Sequence, residues 1–396
     1  TRELFFLKML EELPSPQRYF GGSSYGPSVS YGESYTNPFG NRTVVDNMFQ
    51  DMLPYVSSHW YGFPPLNNLW YGLVSFFVGV TSVFAILGNL IVIYIFSSSK
   101  SLRTPSNYFV VNLAIADFFL MAVMGPPVLV NSYYNTWALG PMFCQIYGAV
   151  GSLTGCVSIY TMCLISRDRY NVIAVGLAAK PLTPTSAMLR ILGVWAVSIL
   201  WTIAPFLGWG RYTPEGNMTA CGTDYLSEDW YTFSYVLVYG TWVWLLPLLF
   251  IIYSYWFIVA AVAAHEKQMR EQAKKMGVKS LRNDKDAQNK SAECKLAKVA
   301  LITVTLWFVA WTPYCVINAA GIFKREIVTP LFSIWGSVFA KANSVYNPIV
   351  YAISHPRYKA ALYTKLPWLS CQSDNMDDDS NKSSASTLTT SEETKE

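Results

Sequence analysis

One lysine carries chemistry that its surroundings make expensive. Lys341 stands inside the apolar stretch Thr329–Ile353, and no other lysine lies in the middle of an apolar run. At bilayer depth a lysine costs roughly 2.5–3.5 kcal/mol, so a sequence that keeps one there keeps it for use. A desolvated amine loses its proton more readily and can attack an aldehyde, condensing to a Schiff base. Such a linkage, once protonated, is a buried cation and needs an anion beside it. Six residues on stands Asn347-Pro348-Ile349-Val350-Tyr351, which places a switch-like motif at the inner end of the same segment.

Other polar residues also fall in or at the edges of apolar runs. Asn89 follows Gly88, Asp117 closes the run Asn112-Leu-Ala-Ile-Ala, and Asp168-Arg169-Tyr170 ends another. Pro205, Pro247, Pro313 and Pro348 lie within or near such runs, where proline kinks a helix and frees carbonyls. Taken singly, each is more often packing polarity or a structural kink. The sequence has no zinc-like spacing, no glycine-rich phosphate loop and no Ser/His/Asp arrangement, and its three histidines (59, 265, 355) lie outside the apolar runs.

The elements that position these residues are read from composition. Charged residues make up 14% of the chain and hydrophobic residues 52%, against about 25% charged in ordinary soluble domains. Seven apolar spans are legible: Leu69–Phe96, Tyr108–Val130, Met142–Ile165, Met188–Trp209, Phe233–Val262, Leu296–Ile322 and Thr329–Ile353. Each has the ~20 residues that cross a hydrocarbon core as a helix, and backbone in lipid must satisfy its own hydrogen bonds. The expected fold is all-α: a seven-transmembrane-helix bundle over 66–369. A short amphipathic helix, Pro356–Leu369, follows the seventh span.

Basic residues give the orientation. Lys100, Arg103, Lys180, Arg190 and the Lys/Arg-rich segment His265–Lys298 lie on one side, which the positive-inside rule assigns to the cytosol. Glu215, Asp224, Glu228 and Asp229 lie on the other. The N-terminus is expected outside and the C-terminus in the cytosol, in the plasma membrane. The net charge of +4 follows from this asymmetry, and no nucleic-acid partner is implied. Residues 1–65 are rich in Gly, Tyr, Ser and Pro and are expected to be poorly ordered; 370–396 read as a disordered cytosolic tail. Asn41-Arg42-Thr43 is a glycosylation sequon on the outer side, and Asn217-Met218-Thr219 a second one in a loop expected to fold inward. Cys144 and Cys221 both face the outer, oxidising compartment, where a disulfide persists. Cys371 is a palmitoylation candidate. Cys156, Cys163, Cys294 and Cys315 read as packing residues.

Taken in order, these motifs resemble the rhodopsin-like G-protein-coupled receptors. The resemblance rests on Gly88-Asn89, Leu113-Ala114-Ile115-Ala116-Asp117, Asp168-Arg169-Tyr170, Trp195, Pro247 with Tyr255, Trp311-Thr312-Pro313 and Asn347-Pro348-Ile349-Val350-Tyr351, and covers roughly Leu69 to Leu369. Lys341, seven residues before Pro348, narrows it to the opsins. The stretch His265 to Met276 is similar to arthropod and mollusc visual opsins that couple to Gq, those of jumping spiders above all.

The resemblance implies 11-cis-retinal bound covalently through Lys341 as a protonated Schiff base. In vertebrate visual opsins the counterion stands three residues after the disulfide cysteine. Here that position is Tyr147, a neutral phenol. The resemblance gives the role instead to Glu215, six residues before Cys221, held over the bundle mouth as a plug by the Cys144–Cys221 bridge. Asp117 is the rival, placed deeper in a polar network with Asn89, Ser344 and Asn347. Gly155 would leave room beside the polyene. Trp311, Tyr314, Tyr239 and Trp244 would flank its ring end, and Ser337 would reach the Schiff base. Arg169 would be locked to Asp168 and Glu293, with Tyr170, Tyr255, Asn347, Pro348 and Tyr351 completing the switch toward a Gq-class protein. The Ser/Thr-rich tail would recruit a receptor kinase and arrestin, and membrane lipid surrounds the helices. A receptor for a diffusible ligand, an opsin-type photoisomerase and a retinal-driven ion pump are the competing readings. Lys341 argues against the first. The complete switch motifs argue against the second, and the lack of a chain of acids through the spans against the third.

Overall fold

The computed structural model describes residues 42–275 and 285–369. Asn41, Cys371 and the Ser/Thr-rich tail lie outside them. Helices dominate: α1 (Asn68–Ser98), α2 (Pro105–Tyr134), α3 (Gly140–Tyr170), α4 (Pro184–Ile203), α5 (Trp230–Gly240), α6 (Leu246–Lys275), α7 (Lys285–Phe323), α8 (Pro330–Ser354) and α9 (Pro356–Lys365). A π-helical turn, Thr241–Leu245, joins α5 to α6, so the two make one span. Pro247 follows that turn and cannot donate to it, a usual reason for a helix to widen locally.

The starts of these helices are written in the sequence. Asn67, Thr183, Asp229 and Thr329 each accept a hydrogen bond from a backbone N–H of the first turn, and Pro105, Pro184, Pro330 and Pro356 occupy first-turn positions where a missing N–H costs nothing. Among the described residues, six spans are long and apolar enough to cross a membrane: Asn68–Ser98, Pro105–Tyr134, Gly140–Val175, Pro184–Leu207, Trp230–Gln272 and Glu293–Phe323. The seventh, α8, has 25 residues but falls short in apolarity, against expectation. Its buried Lys341, Asn343, Ser344 and Asn347 dilute the stretch and face other helices rather than lipid.

α3 is the hub of the bundle, packed against α2, α4, α6 and α7, while α8 packs against α7, α1 and α2. The connection between α4 and α5 folds into an antiparallel hairpin, β1 (Tyr212–Glu215) with β2 (Ala220–Thr223). All eight strand residues are buried. The bridge Cys144–Cys221, with Cα atoms 5.5 Å apart, fastens β2 to the first turns of α3.

The poorly ordered tail expected over 1–65 is corrected for its described part. Residues 42–65 pack on the disulfide end of the bundle, with Val45, Met52 and Trp60 almost wholly buried. The Val44 N–H donates to the Phe63 carbonyl at 2.9 Å, and the His59 Nε2 meets the Val328 carbonyl at 2.7 Å. These apolar side chains are sparse in a polar segment, and their partners lie far away in sequence, so local composition hides them.

Candidate functional site

Lys341 is the one lysine among the described residues that is buried, at 5% exposure. α8 turns it inward, and its Nζ donates to Ser337 Oγ one helical turn earlier at 2.5 Å. It opens onto a mostly apolar cavity of about 110 Å³, lined from α2, α3, the hairpin, α5, the π turn, α7 and α8. Gly155, Glu215, Tyr239, Trp244, Trp311, Tyr314, Ser337 and Lys341 all lie in that lining. Tyr147, also expected at the site, stands behind Lys341 instead: the Nζ lies 5.7 Å from the centre of its ring. The Tyr147 hydroxyl is buried and without a partner among the described residues.

Glu215 ends β1 and is 3% exposed. The hairpin turns its carboxylate down into the cavity, where Tyr314 donates to Oε2 at 3.3 Å. Burial pushes the Glu215 carboxyl up to about 7, and the Lys341 charge pulls the other way. Gly222 on β2 is required by this arrangement. A Cβ there would stand 2.4 Å from the Tyr314 hydroxyl and 2.7 Å from Glu215 Oε2.

Four other acids at this end are engaged or exposed. Asp224 accepts from the Leu226 and Ser227 N–H groups and pairs with Arg211. Asp229 caps α5 and pairs with Arg211, Glu228 pairs with Arg325, and Glu326 is exposed. Glu215 is therefore the acid among them that lines the cavity.

The plug is held from several sides. Gln145 of α3 donates to the Tyr212 carbonyl, Asn131 of α2 to the Thr219 carbonyl, and Thr223 to Asn318 of α7. Tyr225 shares a 2.7 Å hydrogen bond with Ser333 of α8. Asn217, in the second sequon, is 0% exposed, as an inward-folded loop requires.

Deeper in the bundle, Asp117 accepts from Asn347 Nδ2 at 2.7 Å and from Ser158 at 3.4 Å. Asn89 donates to the Ser344 carbonyl at 2.8 Å. Asp117 does not line the cavity. Gly88 lets α1 approach Pro348, whose Cβ would lie 3.0 Å from an added Cβ. At the opposite end from the disulfide, Arg169 pairs with Asp168 and donates to Glu293 Oε2 at 2.6 Å. Tyr255 donates to the Ala297 carbonyl at 3.2 Å. Tyr170 packs on Tyr253 and Phe257, and Tyr351 on Phe96 and Tyr358.

The sequence reading missed Gly148, Gly151 and Ser152, which share one face of α3 with Gly155 at helical spacing, and Trp307, one turn before Trp311. Their three- and four-residue spacing was the available signal. Met124, Cys315 and Asn318 carried none. The donor set suits an apolar aldehyde: one buried amine, one buried carboxylate, a phenol beside the amine with no hydrogen-bond partner among the described residues, and mostly apolar walls. At Gly155 a Cβ would stand 2.9 Å from the Trp311 ring, so any side chain there would press on the cavity wall.

Comparison with known proteins gives the family. Residues 88–351 match the family of 7 transmembrane receptors (rhodopsin family). A rhodopsin of Sphodromantis sp. is 59% identical over 363 residues, covering 91% of this chain and 96% of that protein. The long-wavelength rhodopsin of Apis mellifera is 56% identical over 372 residues, 94% of this chain and 98% of the relative. The crystal structure of squid rhodopsin superposes with a TM-score of 0.75 at 37% identity, over 84% of this chain and 95% of that one. The chain belongs to the rhodopsin family of seven-transmembrane receptors. It is an integral membrane protein and a receptor, not an enzyme, and its arthropod relatives carry the names rhodopsin and opsin.

Proposed function

We propose that this protein is a visual pigment: a light-activated receptor that holds 11-cis-retinal through Lys341 and signals to a G protein of the Gq class. The observation that carries this reading is a buried lysine opening onto an apolar cavity that also holds one buried carboxylate. Retinal, attached as a Schiff base at Lys341 Nζ, supplies visible absorption and light-driven isomerisation to the all-trans form.

The chain does the rest. Glu215 keeps the proton at the Lys341 nitrogen, because a carboxylate nearby favours the charged form. Ser337, hydrogen-bonded to that nitrogen in the free lysine, orients it. Tyr147 offers the nitrogen a neutral hydroxyl where a helix-borne acid is absent. Gly155, Trp311, Tyr314, Tyr239 and Trp244 shape the walls. The hairpin and residues 42–65 exclude water from the disulfide end.

Because Glu215 sits on the hairpin rather than on α3, the nitrogen keeps its anion when the cavity's contents change shape. Glu215 would thus keep the Lys341 nitrogen protonated before and after light, which is what a bistable pigment requires. Asp117, Asn89 and Asn347 form the polar network through which the change passes to Pro348 and Tyr351. Arg169, freed from Asp168 and Glu293, then opens the end that meets the G protein, with Tyr170 and Tyr255 bracing it. Kinase and arrestin would act on the Ser/Thr-rich tail. Asn41 would carry a glycan and Cys371 a palmitoyl chain. The protein would sit in a photoreceptor plasma membrane with its N-terminus and disulfide end outside and its C-terminus in the cytosol.

A spectrum of the protein with 11-cis-retinal, before and after illumination, tests the reading. A visible band that shifts on a first flash and recovers on a second supports it. The absence of a visible band overturns it. Light-triggered calcium release in transfected cells tests Gq; exclusive coupling to another class would correct that part alone.

A further inference from the structure

Glu215 is followed by Gly216, which turns the hairpin with a φ of +62°. An added Cβ there would stand 3.0 Å from the Pro330 carbonyl oxygen and 3.1 Å from the Ile334 nitrogen. Glycine serves twice at this position: it takes a left-handed conformation, and it lets the end of β1 lie against the first turn of α8. Tyr225, on the chain leaving β2, is pressed against α7 in a similar way. At Gly321 an added Cβ would stand 2.5 Å from the Tyr225 ring. Two close approaches thus fix the acid and the phenol, and Tyr225 is 3% exposed.

The hydroxyls around Glu215 fall into two groups. Tyr314 and Ser337 line the cavity, whereas Tyr225 and Ser333 do not. Tyr225 and Ser333 share a 2.7 Å hydrogen bond, and the Tyr225 hydroxyl also faces the Glu215 carboxyl. Among the described residues, Glu215 meets Lys341 and Ser337 from α8, Tyr314 from α7 and Tyr147 from α3, and Lys341 is the cation of the set. A phenol has one proton to donate. When Ser333 donates to the Tyr225 oxygen, that proton is left for Glu215 and every group in the chain is satisfied. The reverse order would turn a lone pair of Tyr225 toward a buried carboxylate, which needs donors instead. Resting on the counterion reading above, we propose that Tyr225 is a positioning residue for Glu215: with Ser333 behind it, its hydroxyl donates to the carboxylate from outside the cavity and keeps it charged and aimed at the Lys341 nitrogen. Neither hydroxyl touches the cavity, so the pair acts only through Glu215.

The test titrates Glu215 in the full-length protein reconstituted with 11-cis-retinal. The readout is the infrared band of the protonated carboxyl, assigned by its loss in Glu215→Gln, with melting temperature measured in parallel. A donor to the carboxylate favours its charged form. Tyr225→Phe should therefore raise the pH at which the band grows in by about one unit, the size of a lost hydrogen bond to a charge. Ser333→Ala should move the midpoint the same way by less, and Ser333→Thr should keep the wild-type value. A pair that merely ties the hairpin to α8 would lower the melting temperature and leave the midpoint alone, and that outcome overturns the proposal. Should Tyr225→Phe fail to fold, Ser333→Ala against Ser333→Thr decides, and equal midpoints there overturn it as well. The same titration runs on the ligand-free protein, where burial already raises the Glu215 carboxyl to about 7. A shift there, with no pigment formed by the wild type, would refute the retinoid reading and leave the tie between Tyr225 and Glu215 standing.

Discussion

The two ends of the bundle are closed in different ways. At the disulfide end the closure is built from backbone: a buried hairpin, a covalent bridge, and residues 42–65 laid across the helices. At the Asp-Arg-Tyr end it rests on side chains, with Arg169 held by Asp168 and Glu293. Glu293 comes from a position that is itself partly open to solvent, with 32% of its side chain exposed. A covalent and backbone closure holds a ligand and its counterion in place through many cycles. A closure made of one ion-pair cluster can be broken and remade by a change of a few kcal/mol. On the function proposed above, holding falls to one end and switching to the other.

Removing the bridge should do most to abolish that difference. Cys144→Ser releases a tie between residues 77 apart in sequence, for which the loop-closure model gives about 4.5 kcal/mol. Thermal unfolding should fall sharply, and pigment yield should collapse as Glu215 loses its position. A normal yield of stable pigment would show that the side-chain ties of the hairpin suffice.

Glu215→Gln is a finer cut at the same end. It leaves the plug in place and removes its charge. Losing ~2 kcal/mol of charge pairing lowers the titration midpoint of the visible band by more than one unit. The variant should then turn ultraviolet-absorbing at a pH where the wild type stays visible. An unchanged midpoint would pass the role to Asp117. The ligand-free protein offers a second readout. Burial raises the Glu215 carboxyl to about 7, so between the ordinary carboxylate range and that value the folded state binds more protons than the unfolded one. Stability from this group is thus greatest at low pH and declines as pH rises through the window. In Glu215→Gln that slope of melting temperature against pH should be reduced.

At the opposite end the expected effect is smaller and of a different kind. Glu293→Gln removes a partly exposed partner of Arg169, a pair of about 1 kcal/mol or roughly fivefold in population. Dark activity toward the G protein should rise by that order, with no change in the absorption spectrum. A spectral change, or silence in both readouts, would blur the distinction between the two ends.

Much of this was legible in the residues themselves. Lys341 was conspicuous because a charge in an apolar run is costly, and the long apolar runs marked the spans, whereas the caps that start them, such as Asn67 and Thr329, were not read. Glu215 was singled out by the resemblance to opsins, on its place six residues before Cys221 and the neutrality of Tyr147. The packing of residues 42–65 was not legible. His59 finds its partner in the Val328 carbonyl, 269 residues away, and a polar composition says nothing of such a contact. The reduced apolarity of α8 also surprised, since its buried polar residues face other helices rather than lipid, as Asn347 does in donating to Asp117. Gly151, Ser152 and Trp307 went unnoticed because small and aromatic residues in a membrane helix usually pack, and only a cavity tells lining from packing.

The most direct test of the central claim locates the attachment. The reconstituted pigment is reduced with borohydride in the light, digested, and its retinyl-bearing peptide sequenced by mass spectrometry, with Lys341→Ala carried in parallel. The expected result is a single modified residue, Lys341, and no visible pigment or retinyl peptide in Lys341→Ala. A retinyl group on another lysine, or a visible pigment of normal yield in Lys341→Ala, would contradict the account.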